Sequence, residues 1–259
     1  MGNSNFGSVI MKAIILAAGR GMRLNSGDRS ALPKSMENIN GVSIIHYQIL
    51  NCLKHNIKKF VIVVGYQKEV LQKHVLEVLN EDQVAFVAND LYAETNTLYS
   101  LYLTSRFMCE DFIYFNADVL FHPFLLRKLV KGEDENLLLI EKKSVGDEEV
   151  KVRVENTLIK EIHKQLDPSF AEGEFIGIGK FVKRDLECFK ECLEFGVHNG
   201  QSNNYFEYAV NMMCFDRKLI ALYTDGLPCI EIDFPDDLKR AREDLFKNIN
   251  EFLLNSNQT

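Results

Sequence analysis

The stretch Lys12-Ala13-Ile14-Ile15-Leu16-Ala17-Ala18-Gly19-Arg20-Gly21-Met22-Arg23-Leu24, with Pro33-Lys34 further along, decides how this chain is read. Lys12–Ala18 is a short apolar run without alternation, the pattern of a strand buried on both faces of a parallel sheet. It ends in small residues. There, backbone N–H groups can approach an anion closely, because no large side chain stands in the way. Arg23 and Lys34 add positive charge where an extended chain of phosphates would lie. Donors of this kind stabilise negative charge that develops on a departing phosphate group.

Other glycine loops do not fit as well. A dinucleotide site needs a third glycine and a helix that opens at the loop. Here the segment stays polar to Pro33. The GxxxxGK[ST] phosphate loop is missing. A merely structural turn would leave Arg23 and Lys34 unexplained.

Outward from this loop, strands and helices alternate. Helical spacing runs over Ser43–Asn56, near Gln67–Leu79 and over Thr97–Phe107; strands are expected at Lys59–Gly65, Gln83–Asn89 and Phe112–Asn116. Such alternation with short turns predicts a parallel sheet covered on both faces. The second half changes character. Val150–Glu155 (VKVRVE) alternates, as a strand wet on one face does. Further strands are read at Leu137–Lys142, Leu158–Ile162, Phe175–Phe181 and Cys229–Asp233, and helices at Asp185–Phe195, Tyr205–Cys214 and Asp236–Phe252. With no linker or repeat, residues 11–255 read as one domain: a nucleotide-binding half, 11–135, and an acceptor half, 136–255. Residues 1–10 read as a disordered tail.

The chain has 259 residues, 46% apolar and 26% charged, with a net charge of −7. An acidic balance disfavours a broad nucleic-acid surface. No apolar run reaches membrane-spanning length, and the first residues have no export-signal core. Free thiols in six cysteines without CxxC spacing fit a reducing, cytoplasmic setting. The six histidines are scattered, without metal spacing. Oligomeric state stays open.

Two carboxylates end strand-like runs: Asp118 in Tyr114-Phe115-Asn116-Ala117-Asp118, and Asp233 in Glu231-Ile232-Asp233-Phe234-Pro235. Ligands of open parallel sheets sit at the carboxyl ends of strands, and two such carboxylates can share one Mg2+. A lone Asp there also serves as a cap or turn residue. Asp236 and Asp237 read as first-turn helix residues and are left out of the site.

The LAAGRGMRL…PK pattern of Leu16–Leu24 and Pro33-Lys34 resembles the nucleotide-binding loop of the sugar-nucleotidyltransferase family. The resemblance implies an α/β, Rossmann-like fold of the nucleotide-diphospho-sugar transferase type, with a mostly parallel sheet, helices on both faces and a small substrate-binding subregion. It implies that Lys34 and Arg23 are catalytic and that Leu16, Ala17, Ala18, Gly19, Arg20 and Gly21 bind the nucleotide. It also implies that Asp118 and Asp233, standing in the family's AD and EIDxPxDL positions, hold Mg2+.

Three further segments are similar to the phosphocholine cytidylyltransferase branch. They are Asn89-Asp90-Leu91-Tyr92 with Thr95–Leu101, the Glu174–Ile178 strand, and Tyr205–Asn211. That similarity implies transfer of CMP from CTP to a small phosphorylated acceptor, with pyrophosphate released. Asn89, Asn96 and Ser100 join the nucleotide set. Lys142, Glu174 and Glu207 join the acceptor set, with Arg20 and Lys143 as further candidate anion partners. The chain has no Trp, the strongest face for a quaternary ammonium. The acceptor therefore stays open between a phosphocholine-like molecule, a phospho-amino acid such as phosphoglutamine, and a phosphonate. A hexose-1-phosphate nucleotidyltransferase and a catalytically silent nucleotide-binding regulatory module are the competing readings.

Overall fold

In the computed structural model, residues 11–24, 31–132 and 134–255 are described; the tail read over 1–10 lies outside them. Strand β1 (Lys12–Ala17) buries every residue but its first. A short hairpin, β2 (Asn38–Ile39) and β3 (Val42–Ser43), leads into α1 (Ile44–Lys54). Then come β4 (Lys59–Val64), α2 (Lys68–Val75), β5 (Val84–Ala88), α3 (Thr97–Tyr102), β6 (Phe112–Asn116), β7 (Val119–Phe121) and α4 (Pro123–Lys131). The second half carries β8 (Asn136–Glu141), β9 (Lys151–Glu155), β10 (Leu158–His163), β11 (Gly173–Phe181), α5 (Leu186–His198), α6 (Glu207–Met213), β12 (Leu219–Tyr223), β13 (Cys229–Glu231), α7 (Pro235–Arg240) and α8 (Ile249–Asn255).

Among the described residues, nine strands form one sheet in the order β5-β4-β1-β6-β11-β8-β12-β10-β9. The first four run parallel, with Leu16 of β1 level with Val63 of β4 and Asn116 of β6. β11 enters antiparallel between β6 and β8. Its first residues, Gly173 and Glu174, also pair with β9, so the far end of the sheet curls back on itself. β8 and β11 are still buried on both faces, and the half-exposed strands, β9, β10 and β12, lie beyond them at the far end of the sheet.

Alternate residues of β1 feed two cores. Ala13, Ile15 and Ala17 pack with the apolar faces of α1, α2 and α4. Ile14, Leu16 and Ala18 pack on the opposite side with α3, α5 and α6. This is why the run shows no alternation: both faces of the strand are interior.

Some expectations need correction. The single helix read over Asp236–Phe252 is broken; α7 stops at Arg240 and a π-turn spans Ala241–Leu245. The β2–β3 turn causes the break to be tolerated. Asn40 donates from Nδ2 to the carbonyls of Arg242 (2.8 Å) and Phe246 (3.2 Å), groups that a continuous helix would satisfy internally. The helix read over Thr97–Phe107 is α-helical only to Tyr102 and ends in a 3-10 turn. β7, α4 and β12 were not anticipated.

On the face away from the β1 loop's helix α1, Phe112, Phe181 and Phe189 stack in series, with centroids 5.1 and 4.5 Å apart. Phe189→Ala empties the end of a fully buried stack. It should lower unfolding free energy by about 3–5 kcal/mol in urea titrations. A loss under about 1 kcal/mol would mean that this stack does not carry the second core.

Candidate functional site

The carboxyl ends of β1 and β6 open into a cleft of about 310 Å3. It is walled by the loop after β1, the segment before α3 and the end of β13. Its volume lies in the range of small-molecule sites. Gly21 makes the loop possible. Its φ is +64°, and a Cβ there would stand 2.8 Å from Lys34 Cβ. The missing side chain lets the Lys34 stem pass beside the loop and enter the cleft. A Cβ on Gly19 would meet no other described residue within 4 Å, its chain neighbours aside, so the loop borders open space there.

Asp118 and Asp233 are far apart in sequence, and pairing of β7 with β13 joins them. Glu231 lies opposite Val119, and the Ile232 N–H donates to the Asp118 carbonyl at 3.0 Å. Lys34 stands between the two side chains, with Nζ 2.5 Å from Asp118 Oδ2 and 2.7 Å from Asp233 Oδ1. Burial alone would lower the Lys34 pKa. Asp118, Asp233 and Glu231 outweigh it and hold the ammonium well above the ordinary lysine value. Arg23 supports the group from the rim, 2.8 Å from Asp233 Oδ2 and with its guanidinium over the Phe234 ring. Asp118 Oδ1 is buried and accepts no hydrogen bond among the described residues. Asp237 accepts from the Asp233 and Phe234 N–H groups, which is the capping work expected of it.

The structure gathers Leu16, Ala17, Ala18, Gly19, Gly21, Arg23, Lys34, Asn89, Asn96, Ser100, Asp118, Glu207 and Asp233 around this cleft. Three of them have structural partners already. Asn89 is buried, and its Nδ2 donates to Thr95 Oγ1 (3.1 Å) and Ser100 Oγ (3.0 Å). Asn96 caps α3, its side chain accepting from the Thr97 N–H. This network shapes the wall from which Tyr92 also faces the cleft.

Arg20 does not line the cleft; its guanidinium lies over the Tyr92 ring at 5.2 Å. Glu174 belongs to an adjoining cavity of about 250 Å3, where it pairs with Lys143 at 2.6 Å. Lys142, expected beside the acceptor, lines neither cavity. It is 3.7 Å from Glu172 and sits over the Tyr223 ring. Successive residues at a strand end turn to opposite sides, so Lys143 takes the inward position.

Sequence reasoning passed over Glu231, which is half-buried in the cleft wall. Burial, then Asp118 and Asp233, push its carboxyl well above the usual range. The signal was present, because residues two apart in a strand share a face and Glu231 stands two before Asp233. The histidines are not all scattered. His46 and His74 stack at 3.8 Å, with Glu77 3.1 Å from His74 Nδ1. His46 Nε2 contacts the His74 carbonyl and His74 Nε2 contacts Ser43 Oγ, so the pair ties α1 to α2 outside the cleft.

A family model described as nucleotidyl transferase matches residues 12–144. The choline-phosphate cytidylyltransferase of Streptococcus pneumoniae is 38% identical over 123 residues, 47% of this chain and 51% of that protein. A bifunctional IPC transferase and DIPP synthase of Thermococcus kodakarensis is 26% identical over 242 residues, 91% of this chain and 51% of that protein. The chain thus spans about half the length of these relatives. The solved structure of the CTP:phosphocholine cytidylyltransferase from Streptococcus pneumoniae superposes with a TM-score of 0.73 at 22% identity, covering 91% of this chain and 99% of the other. The fold is therefore the α/β, Rossmann-like one of the nucleotide-diphospho-sugar transferases. No helix among the described residues is long and apolar enough to cross a membrane.

Glu207 gives the site a pH signature. It is buried at the start of α6, Oε2 has no hydrogen-bond partner among the described residues, and burial pushes its carboxyl up to about 7. The folded chain binds this proton more tightly than the unfolded chain. The resulting stability is complete below the ordinary value of 4.5 and is lost as pH rises through about 7. Glu207→Gln cannot lose it. Thermal melts across about pH 5 to 8 should favour the variant increasingly, by up to about 3 kcal/mol. Parallel curves would place a charge partner on Glu207.

Proposed function

This chain belongs to the nucleotidyl transferase family, and we propose from that premise that it transfers CMP from CTP to a small phosphorylated acceptor. One observation carries the reading: Lys34, Asp118 and Asp233 converge inside a cleft at the strand ends, beside a glycine loop open to a ligand. The triphosphate lies along Leu16–Arg23. An acceptor phosphate oxygen attacks the α-phosphorus, forming one P–O bond as the bond to the β-phosphate oxygen breaks. Pyrophosphate leaves with the electron pair. The acceptor oxygen is already anionic, so no general base is needed. The protein's work is alignment and charge neutralisation.

The donor set suits Mg2+. Asp118 offers a buried oxygen without a hydrogen-bond partner among the described residues, and Asp233 stands across the same cleft. Both are hard carboxylate oxygens, the ligands this ion takes. Bound there, Mg2+ would supply positive charge to the phosphate oxygens. Lys34, whose Nζ stands between the two carboxylates, would add its own positive charge beside the departing pyrophosphate. Arg23 serves the same charge from the rim.

The adjoining cavity suggests the acceptor class. Its walls carry Glu141, Glu148, Glu149, Glu174, Glu207, Glu231, Asp233 and Asp237 against Arg23, Lys143, Lys164 and Arg240. This acidic surplus favours an acceptor with a cationic end. Tyr205, with the Lys164 ammonium over its ring, and Phe234, with the Arg23 guanidinium over its ring, are aromatic surfaces that receive cations in place of the missing Trp. Phosphocholine-like molecules and amino-phosphonates have both ends.

Pyrophosphate release should be measured for the four NTPs against phosphocholine, an aminophosphonate, phosphoglutamine and hexose-1-phosphates. CTP with a cationic acceptor should turn over, EDTA should stop it, and Mg2+ or Mn2+ should restore it. Nucleotide-sugar formation from UTP, dTTP or GTP with CTP idle would assign a hexose-1-phosphate enzyme instead. Tight binding without turnover by any NTP would assign a silent module.

Lys34→Ala should lower kcat by about 100- to 1,000-fold in a folded protein; near-normal kcat would remove Lys34 from the chemistry. Asp118→Asn and Asp233→Asn should each abolish most activity, with non-additive losses in the double variant, because either change disables the same ion. Additive losses of stability with normal turnover would leave the two as turn and cap residues.

A further inference from the structure

Gln48 lies in the middle of α1, fully buried, and lines none of the cavities described above. Its Nε2 donates to two backbone carbonyls, Asn116 at 2.8 Å and Val119 at 2.9 Å. These carbonyls belong to the last residue of β6 and the first of β7. Between them lie Ala117 and Asp118. One side-chain amide therefore closes the turn that presents the Asp118 carboxylate.

The amide is retained at a cost. Gln48 Oε1 is buried and accepts no hydrogen bond among the described residues. Leaving such an acceptor unpaired is destabilising, and an apolar side chain of the same length would avoid that cost. What an apolar side chain cannot do is pair the two carbonyls flanking the turn.

The turn is braced from other directions as well. Gly177 of β11 has φ +74°, and a Cβ there would stand 2.7 Å from Asn116 Nδ2. The Tyr114 hydroxyl donates to Asn116 Oδ1 at 2.5 Å. The Ala117 N–H donates to the Leu16 carbonyl at 3.2 Å, which joins the turn to the glycine loop. Asn116 is thus enclosed by its neighbours, and Gln48 sets the height at which the chain leaves β6 for Asp118.

We infer that Gln48 is a positioning residue: by pairing the carbonyls of Asn116 and Val119 it holds Asp118 at the distance from Lys34 and Asp233 that the transfer reaction requires. The inference rests on the role given above to Asp118 and Lys34. A displacement on the order of 1 Å at a reacting group can cost about 100-fold in rate. Loss of Gln48 should therefore act on turnover and on the metal-binding carboxylate more than on nucleotide binding, which spreads over the whole Leu16–Arg23 loop.

The test uses Gln48→Met in the full chain, which keeps the side-chain length and removes the donors. Four quantities are compared with wild type: melting temperature, kcat, KM for CTP, and Mn2+ affinity from the EPR signal of free Mn2+. The melting temperature should fall by a few degrees, as for any lost buried hydrogen bonds. Well below it, kcat should fall about 10- to 100-fold and Mn2+ should bind about tenfold more weakly, with KM for CTP changed by less than about threefold. A variant that is less stable but has wild-type kcat and Mn2+ affinity overturns the inference, since Gln48 would then only support packing. Equal changes in KM and kcat/KM with kcat intact overturn it too. If Gln48→Met does not fold, Gln48→Asn gives the same comparison, because its shorter side chain keeps an amide but cannot span both carbonyls. An inactive wild type that binds no Mn2+ overturns the functional reading and this inference together. An active wild type beside an unimpaired variant overturns this inference alone.

Discussion

The ammonium of Lys34 between Asp118 and Asp233 is the contact on which the candidate site depends. It joins three pieces of chain: the turn after the glycine loop, the end of β6 and the end of β13. Taken singly, each charge would be costly in a partly buried place. Together they offset one another, and the remaining surplus is negative. Glu231 stands in the same wall, and desolvation followed by the nearby Asp118 and Asp233 raises its pKa, which favours its neutral form. A pocket with this balance attracts cations, yet keeps two of its own at the spot where a polyphosphate would lie.

The sheet supplies the frame for that contact. Four parallel strands end at one level, which puts the loop after β1 and the turn after β6 side by side. The antiparallel β11 then inserts next to β6, and the strands beyond it build a second cavity against the first. The switch from parallel to antiparallel pairing is therefore also a switch in what the walls offer: backbone N–H groups and small residues on one side, carboxylates and aromatic rings on the other. Two halves of different character meet along β6 and β11, and the cleft opens where they meet.

Much of this was legible from residues alone. Phe112–Asn116 is a strand with the bounds read from its apolar run, and β9 and β11 follow VKVRVE and the Phe175–Phe181 segment closely. The less legible parts have physical causes. Val119–Phe121 is only three residues long, so periodicity has nothing to count. The last helix keeps its apolar spacing across the break at Ala241–Leu245, because the break is stabilised by Asn40, some two hundred residues away in the chain. Lys142 and Lys143 are equally basic on paper; the pleat of the strand end turns one out and the other in.

Local chemistry determined, without any structure, that a buried strand runs into a glycine loop, that Arg23 and Lys34 accompany that loop, and that Asp118 and Asp233 stand at strand ends. These are properties of short segments, where side-chain size, charge and spacing act over a few residues. Only the tertiary structure decided which of these groups touch. The pairing of β7 with β13 brings Asp118 to Asp233, the missing side chain at Gly21 lets Lys34 reach both, and the amide of Gln48 closes the turn beneath them. Each of those contacts joins residues distant in sequence. Its free energy comes from burial and pairing that exist only once the sheet has formed, so no local pattern records it.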